Sequence, residues 1–516
     1  MCKIGQRQRT AGRSRDKQMP KTSYADVVMD VEPGNRRIAA TPEPDAPFQV
    51  LIMGDFSGRA SRGVVEPVLG RRPIPVDRDE IDRLPAQLGV ELRLALAGDH
   101  GAELRLAFAE LDDFHPDRLF ESCDLFPALR SMRRRLENPE SLKKITDDIL
   151  GGIIAEARPE AKASSSIVTG SILDQIADEA GEPGSARGAK PRDPLLAYVH
   201  DLVAPHLVPG EDPKQKELLG QLDEEVGRQM RAILHNPLFQ GLEAAWRGLE
   251  HVVRNVETDS QLKLYILDIS KAELLADVAA TNDLRRTGLF RLLAAAPPNG
   301  EPWSLLGCDC FFRPWIDDIE LLARIAMLAD LAGAPLLAAA DPTLLGVKNP
   351  ELLGDSDEWN IVNPVWEELR GMPEACRIGL TMPRILLRQP YGKDASPVEK
   401  FKFEEMPEGN THANFLWGNG MYPCVALICQ SFTERKWNMR PGQFQNIHSL
   451  PVHNWKEYGN VELKPCAEVL LTLTAAETMI GLGLMPMLSM KGSDQVRVGA
   501  FQSIAKPPVP LEGRWR

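Results

Sequence analysis

The sequence predicts an α/β (α+β) fold in which mixed sheets are flanked by helices. Residues 235–254 have the pattern of an amphipathic helix, and the apolar run 262–269 that follows is typical of a strand buried on both faces. From there to about residue 380, strand-like and helix-like segments alternate. A separate strand and hairpin pattern occupies residues 48–108. Because 516 residues exceed one typical domain, we expect two lobes joined by a flexible linker.

The helix at 235–254 carries the densest set of consistent signals. Asn236 suits the N-cap, and Pro237 suits the first helical position, where its missing N–H costs nothing. After the following strand, Ser270 and Glu273 predict a capping box for the next helix. Apolar residues at spacings of three and four form one wide stripe, which predicts burial and a role in the core or in assembly: Phe239, Leu242, Trp246, Leu249 and Val253.

The first part of the chain divides into a tail and a folded unit. Residues 1–45 are polar and basic, which predicts a disordered tail, although 24–31 could serve as an exchange strand. Folded structure is expected to begin with a strand at 48–56. The runs 91–96 and 103–108, separated by a Gly-Asp-His-Gly turn, then predict a hairpin, and two helices follow.

The run LDDFHPD at 111–117 places three aspartates and a histidine close together. Such a group could ligate a metal ion. However, Asp112 and Asp113 stand near a predicted helix start with a proline close behind, which favours capping and complementation of the helix dipole. We therefore predict a structural role for this run.

Residues 158–194 predict a linker, because they are rich in Gly, Pro, Ser and polar residues. Within it, Ile172, Leu173 and Ile176 would share one face of a short helix. So short a helix is not stable alone, since it barely offsets its nucleation cost. It is therefore predicted to dock in the groove of a partner protein, with packing on its own domain as the alternative.

Composition and motifs argue against an enzyme. The net charge of -13 disfavours broad nucleic-acid binding, and no phosphate loop, dinucleotide motif, nucleophile elbow or HExxH motif occurs. We expect no cofactor and no metal. The eight scattered cysteines predict reduced core thiols, and neither a signal peptide nor a membrane span is indicated, so we expect a cytoplasmic protein. The alternative from another class is a cytosolic hydrolase that uses Cys424 or Cys429 with His412, His448 or His453.

Several of these segments resemble the sheath proteins of type VI secretion systems. FQVLIMGDFSGR at 48–59 and LDDFHPDRLF at 111–120 are similar to the small sheath subunit, TssB or VipA. The resemblance to the large subunit, TssC or VipB, rests on three longer segments in the family's order: NPLFQGLEAAWRGLEHVV at 236–253, IGLTMPRILLRQPYG at 378–392 and NFLWGNGMYPCVALICQSF at 414–432. We therefore assign a small-subunit-like domain to 46–157 and a large-subunit-like core to 195–516.

The resemblance implies a sheath-protomer-like fold and a structural subunit of a contractile sheath, which assembles around an inner tube and contracts to drive protein secretion. The implied partners are further copies, other sheath subunits, an Hcp-like tube protein, the baseplate and the AAA+ unfoldase ClpV. In the family, the unfoldase grips an "LLDEIV"-like helix, which Ile172, Leu173, Asp174 and Ile176 match.

Two departures from the family pattern affect this interpretation. The family usually encodes the two subunits separately, and their fusion would fix a one-to-one ratio. The sequence also ends at Arg516, soon after FQSIAKP at 501–507, where typical large subunits continue into strands shared with neighbouring subunits. This second departure motivates an alternative role as a sheath cap or minor accessory component that does not propagate the polymer.

Overall fold

The computed structural model describes residues 42–95, 103–137, 215–295, 300–361, 363–393, 395–407, 409, 411–457 and 460–515. Outside these residues lie the predicted tail up to residue 41 with its exchange strand, the hairpin turn and the linker at 158–194. The strands are β1 (Phe48–Gly54), β2 (Ile74–Val76), β3 (Val90–Ala95), β4 (Glu103–Phe108), β5 (Leu262–Asp268), β6 (Leu305–Phe312), β7 (Leu336–Ala340), β8 (Ile378–Met382), β9 (Ile385–Leu386), β10 (Trp417–Gly418), β11 (Asn446–Ile447), β12 (Asn454–Glu457), β13 (Asn460–Leu463), β14 (Leu484–Ser489) and β15 (Val496–Val498).

Helices connect most of these strands, and short 3₁₀ segments and one π-helical segment, Arg291–Ala295, complete the connections. The α-helices are α1 (Leu84–Leu88), α2 (Pro116–Ser122), α3 (Pro127–Glu137), α4 (Gln215–Leu234), α5 (Pro237–Asn255), α6 (Lys271–Ala279), α7 (Gly288–Phe290), α8 (Ile316–Ala332), α9 (Pro364–Arg370), α10 (Met421–Arg435) and α11 (Leu473–Gly481). The 3₁₀ segments are Leu111–Phe114, Leu284–Arg286, Pro342–Leu345, Pro350–Gly354, Ser356–Glu358, Pro373–Arg377, His412–Asn414 and Lys436–Asn438.

The main sheet has nine strands in the order β11-β15-β14-β8-β7-β6-β1-β5-β2. Its central strands are parallel, while β2, β15 and β11 pair antiparallel near the two edges. The β3–β4 hairpin, the β12–β13 hairpin and the β9–β10 pair form separate two-stranded sheets. Helices lie against both faces of the main sheet, so the predicted mixed sheet flanked by helices is confirmed.

Strand β1 comes from the small-subunit-like part of the chain but lies in the middle of the main sheet. It pairs in parallel with β5 from Phe48 against Leu262 to Gly54 against Asp268. On its other side it pairs in parallel with β6. All seven residues of β1 are buried, which explains why the strand is mostly apolar and shows no alternation of apolar and polar residues. The two parts of the chain therefore share one sheet.

The main sheet separates two hydrophobic cores. Val50 and Ile52 of β1 face the core that contains α5 and α10, whereas Leu51 and Met53 face the core that contains α6 and α8. This division follows from the period of two along a strand, which sends successive side chains to opposite faces. The first core also holds the apolar residues of β3, β4 and α2, so the small-subunit-like part packs mainly on that side.

Most predicted elements agree with the structure, and the differences have local causes. The predicted strand at 48–56 ends at Gly54 because Asp55 turns back and accepts hydrogen bonds from the backbone N–H groups of Arg59 and Ala60. The first of the two predicted helices, α2, ends at Ser122 before the extended backbone of Cys123. Both hairpin strands are observed, in antiparallel register from Val90–Phe108 to Ala95–Glu103.

The predictions about cysteines and caps can be checked within the described residues. Seven cysteines are free and buried there, as predicted. Ser270 and Glu273 form the predicted capping box, and the side chain of Asn236 accepts a hydrogen bond from the Leu238 N–H at the start of α5. Asp113 caps the segment Leu111–Phe114, as expected for LDDFHPD. Where the chain is described, none of its helices has both the length and the apolar character of a membrane span.

Candidate assembly junction

Helix α5 packs against the small-subunit-like part of the chain, in addition to the strand pairing of β1. The five residues of its apolar stripe are all buried: Phe239, Leu242, Trp246, Leu249 and Val253. Near its start, the Phe239 ring lies 6.1 Å from Phe108 and 5.8 Å from Phe114, measured between centroids. In its middle, the Trp246 ring packs edge-on against Phe56 at 5.7 Å. The stripe predicted for core or assembly thus packs against aromatic residues of the small-subunit-like part.

A polar cluster lies at the carboxyl ends of β1 and β5. Glu273, at the start of α6, accepts hydrogen bonds from both Arg59 and Arg71, with distances between 2.6 and 3.1 Å. Asp268, the last residue of β5, accepts from the backbone N–H of Ser57 at 2.9 Å and from its hydroxyl at 2.7 Å. The two acids come from the large-subunit-like part, whereas the residues that donate to them come from the loop after β1.

The Glu273 carboxylate is buried, and both of its oxygens accept hydrogen bonds. It also accepts hydrogen bonds from the backbone N–H groups of Glu66 and Ser270. Although burial by itself raises the pKa of Glu273, the hydrogen bonds from Arg71 and Arg59 outweigh burial and hold that pKa well below its usual range. The carboxylate therefore stays ionised and binds the loop after β1 to α6.

A second ionic cluster lies beneath α5. Arg388 donates to Glu243 at 2.8 Å and to both carboxylate oxygens of Glu405 at 2.7 and 3.0 Å. Its guanidinium also lies 4.2 Å from the centroid of the Tyr391 ring. Burial alone would raise the pKa of Glu405, but the Arg388 charge and hydrogen bonds hold it at about 2. Removing one member would leave an unpaired buried charge, which is strongly destabilising.

Helix α2 contacts the same region from the small-subunit-like part. The Asp117 carboxylate accepts hydrogen bonds from the backbone N–H groups of Glu399 and Lys400, the latter at 2.9 Å. The His115 ring packs edge-on against Tyr391 at 4.9 Å between centroids. The run LDDFHPD therefore has a second role beyond capping, since it fixes the loop that follows Arg388.

The structure buries both cysteines of the hydrolase alternative and places His412 beside a carboxylate. Cys424 and Cys429 are buried within α10, and burial raises the pKa of both thiols, which keeps them protonated. The His412 ring lies 2.9 Å from the Glu468 carboxylate, which also pairs with Arg384. Among the residues that the structure describes, no three His, Cys, Asp or Glu side chains are grouped to hold a metal ion.

Two predicted sites lie outside the described residues. These are the docking segment, with Ile172, Leu173, Asp174 and Ile176, and the exchange strand at 24–31. Sequence reasoning also missed residues of the junction, namely Arg59, Arg71, Glu243 and Arg388. One signal was present: Glu243 lies four residues after Phe239 and three before Trp246, so an acid occupies a position in the apolar stripe. An acid at such a position indicates a buried cationic partner.

Comparison with known proteins finds a sheath-family match for each part of the chain. The VipB family profile, described as "EvpB/VC_A0108, tail sheath N-terminal domain", matches residues 216–505. A second profile, "Type VI secretion system, VipA, VC_A0107 or Hcp2", matches residues 29–149. The type VI secretion system sheath protein TssC1 of Pseudomonas aeruginosa PAO1 is 32% identical over 323 residues, which cover 60% of this chain and 65% of that protein.

The shared sheet and its junction define a sheath-type protomer built from a small-subunit-like and a large-subunit-like part. The chain belongs to the VipB tail sheath family of type VI secretion systems, with a VipA-like segment on the same polypeptide. The match spans about 65% of the length of the TssC1 relative. These comparisons give no support to a sheath cap or to a hydrolase.

Proposed function

We propose that this chain is a structural subunit of a type VI secretion contractile sheath, which assembles around an inner tube and contracts to drive protein secretion. One observation carries the proposal: β1 of the VipA-like segment completes the centre of the VipB-like sheet. A protomer of this family needs both parts, and here one chain supplies both. The fusion also fixes their ratio at one to one.

The packing of the junction supports a protomer that moves as one body. The stripe of α5, the Glu273 cluster and the contacts that Asp117 and His115 make with the loop after Arg388 connect the two parts at separate places. In our proposal the five stripe residues serve assembly indirectly, because they hold the two parts of each protomer together. Contraction then rotates whole protomers while their mutual contacts change, and the energy comes from the better-packed state of the polymer.

The proposed partners follow from this role. They are further copies of the chain, other sheath subunits, an Hcp-like tube protein and the baseplate. We also propose that Ile172, Leu173, Asp174 and Ile176 form the docking helix for the ClpV unfoldase, which would dismantle contracted sheath. The amphipathic pattern of these residues and their resemblance to the family's docking helix support this assignment.

We further propose that the protein makes and breaks no covalent bond, needs no cofactor and acts in the cytoplasm. The burial of Cys424 and Cys429 supports the first point, since a nucleophilic thiol must reach the thiolate state and its substrate. Assembly around a tube inside the cell is the reason for the cytoplasmic assignment.

Negative-stain electron microscopy of the purified full chain tests the proposal. The chain would be imaged alone, with an Hcp-like tube protein and with separately expressed sheath subunits. Long tubules that surround the tube protein are expected. Particles that remain monomeric in all three preparations, at every concentration, would refute the proposed function. Decoration of sheath ends alone would replace it with the role of a cap.

A further inference from the structure

Exposed apolar side chains are concentrated in two places on the described surface. Nine large hydrophobic residues are exposed there, and seven of them fall into two groups. The other two, Leu238 and Met490, are isolated, and single exposed apolar residues are common on any protein surface. Grouped exposed apolar residues, in contrast, mark interaction sites.

The first group, here called the acidic patch, lies at the carboxyl edge of the main sheet. The segments that carry Leu352 and Leu470 are joined by a hydrogen bond of 3.0 Å from the Thr472 N–H to the Gly354 carbonyl, and Leu473 begins α11 with 77% of its surface exposed. Trp315 and Ile316 stand on the same edge, after β6. Four exposed carboxylates accompany the patch and make no ion pair among the described residues: Asp317, Asp355, Asp357 and Glu477.

The second group, here called the basic patch, lies beside β2 and β5. Val65 and Leu69, in the loop before β2, are 59% and 57% exposed. The backbone at Leu69 packs closely on Gly288, next to the exposed arginines of the segment Leu284–Arg286. Within the described part of the chain, Arg285, Arg286 and Arg72 form no ion pair, and the neighbouring Glu66 is already paired with Arg59.

The two patches cannot meet within one molecule. In the strand order, β7 and β8 lie beside the acidic patch, whereas β5 and β2 lie beside the basic patch. Adjacent strands are about 4.8 Å apart, so β7 and β2 are separated by roughly 20 Å across β6, β1 and β5. Each patch also repels a second patch of its own sign. The favourable arrangement therefore joins unlike patches on different molecules.

We infer that the acidic patch of one copy of this chain docks on the basic patch of the next. Such a contact is heterologous, because it joins two different surfaces, and repeating it produces a ring or an open helical filament. The charges select the register, and the apolar residues provide the area removed from water. This inference rests on the proposed function as a polymer subunit and assigns one of its contacts.

Charge reversal followed by charge exchange tests the contact in the full chain. Asp355→Arg with Asp357→Arg, or Arg285→Glu with Arg286→Glu, should raise the concentration needed for assembly at least about tenfold, because like charges then face each other. Mixing the two variants makes every contact between unlike copies complementary, so an equimolar mixture should recover assembly by sedimentation velocity although neither variant assembles well alone. Glu434→Arg, an exposed reversal at the end of α10, is the matched control and should assemble as the original chain does.

Cross-linking separates this inference from the proposed function. In a Cys2→Ser background, Leu69→Cys and Leu473→Cys proteins are mixed and oxidised, with Leu238→Cys replacing Leu69→Cys as control. A disulfide-linked pair in the first mixture only would support the contact. If the original chain forms tubules but neither cross-link nor charge effect appears, the contact is wrong and the proposed function stands. If the original chain stays monomeric throughout and no cross-link forms, both are wrong.

Discussion

Trp246 on α5 donates a hydrogen bond of 2.8 Å from its indole N–H to the backbone carbonyl of Phe56 in the loop after β1. Both residues are fully buried, so no solvent competes for this bond. The contact joins the VipB-like helix to the VipA-like strand. Removing this hydrogen bond therefore tests how much the contact between the two segments contributes to the stability of the protein.

Replacing Trp246 with Phe keeps the ring in the core but leaves the Phe56 carbonyl without its donor. We expect the free energy of unfolding to fall by about 1–3 kcal/mol, the usual cost of a buried polar group without a partner. Urea unfolding followed by circular dichroism would measure it. Trp315→Phe is the matched control, because Trp315 is 58% exposed, and it should change the midpoint little. Equal stability of the two variants would contradict the role given to this bond.

Stability should decrease in acid because of the Arg388 cluster. The pKa of Glu405 is about 2 in the folded protein, against a reference value of 4.5. Since the folded pKa is depressed, this stabilisation is complete above pH 4.5 and is lost as the pH falls from about 4.5 to about 2. The group should contribute roughly 2–3 kcal/mol to the difference between these limits.

Glu405→Gln should therefore be less stable at neutral pH and should lose less stability between pH 5 and pH 3. Urea midpoints measured across that range would show the change of slope. Glu404→Gln alters the preceding residue, which is exposed, and should keep the original slope. An unchanged slope in Glu405→Gln would mean that protonation of this carboxylate does not cause the loss of stability between pH 5 and pH 3.

The two segments should stay together after the chain is cut between them. A protease site inserted near residue 160 would leave β1 held by β5 and β6 on its two sides. The two fragments should co-elute in gel filtration without denaturant. In the cut protein, Ile52→Pro removes a ladder donor from the centre of β1, and the fragments should then separate or precipitate. Separation of the unmodified fragments would show that the pairing of β1 with β5 and β6 does not hold the two segments together.

The buried thiols should be unreactive in the folded protein. Burial raises the pKa of Cys123 to about 12 and that of Cys466 to about 11. In a Cys2→Ser background, a disulfide reagent such as DTNB at pH 8 should modify none of the seven described cysteines within minutes, and all seven after unfolding in urea. Fast modification of Cys424 in the native protein would reopen the question of a reactive thiol.

The docking prediction can be tested by capture of the full chain on immobilised ClpV unfoldase. Ile172→Asp with Ile176→Asp places charge on the predicted apolar face, and we expect binding to fall at least about tenfold. Asp178→Ala, on the opposite side of the same predicted helix, should bind normally. If the double variant is captured as well as the original chain, the segment is not the docking helix.

Local pattern predicted the elements well, because helices and buried strands are encoded in nearby residues. The stripe on α5 and its Asn236 cap were found with bounds within two residues of those observed. The same holds for β5, since most of its residues are apolar. The period of hydrophobic residues is a strong signal wherever an element packs on one core.

Long-range pairing was not visible in the sequence. Nothing in the residues around β1 indicates that its neighbours are β5 and β6, because parallel strands are joined only by distant segments. The ion pairs of Arg59 and Arg71 with Glu273 were missed for the same reason. Glu273 was identified as a capping residue, and its place beside β1 follows only from the topology.

The central position of β1 affects how the chain is made. Phe48 leaves the ribosome early, but its partner Leu262 is synthesised 214 residues later. At typical translation rates the interval is roughly 10–40 s, during which a largely apolar strand has neither neighbour. Contacts of such high sequence separation fold slowly. Newly made chains should therefore need a chaperone at residues 48–54 until β6 emerges, and yield in the cell should depend on it.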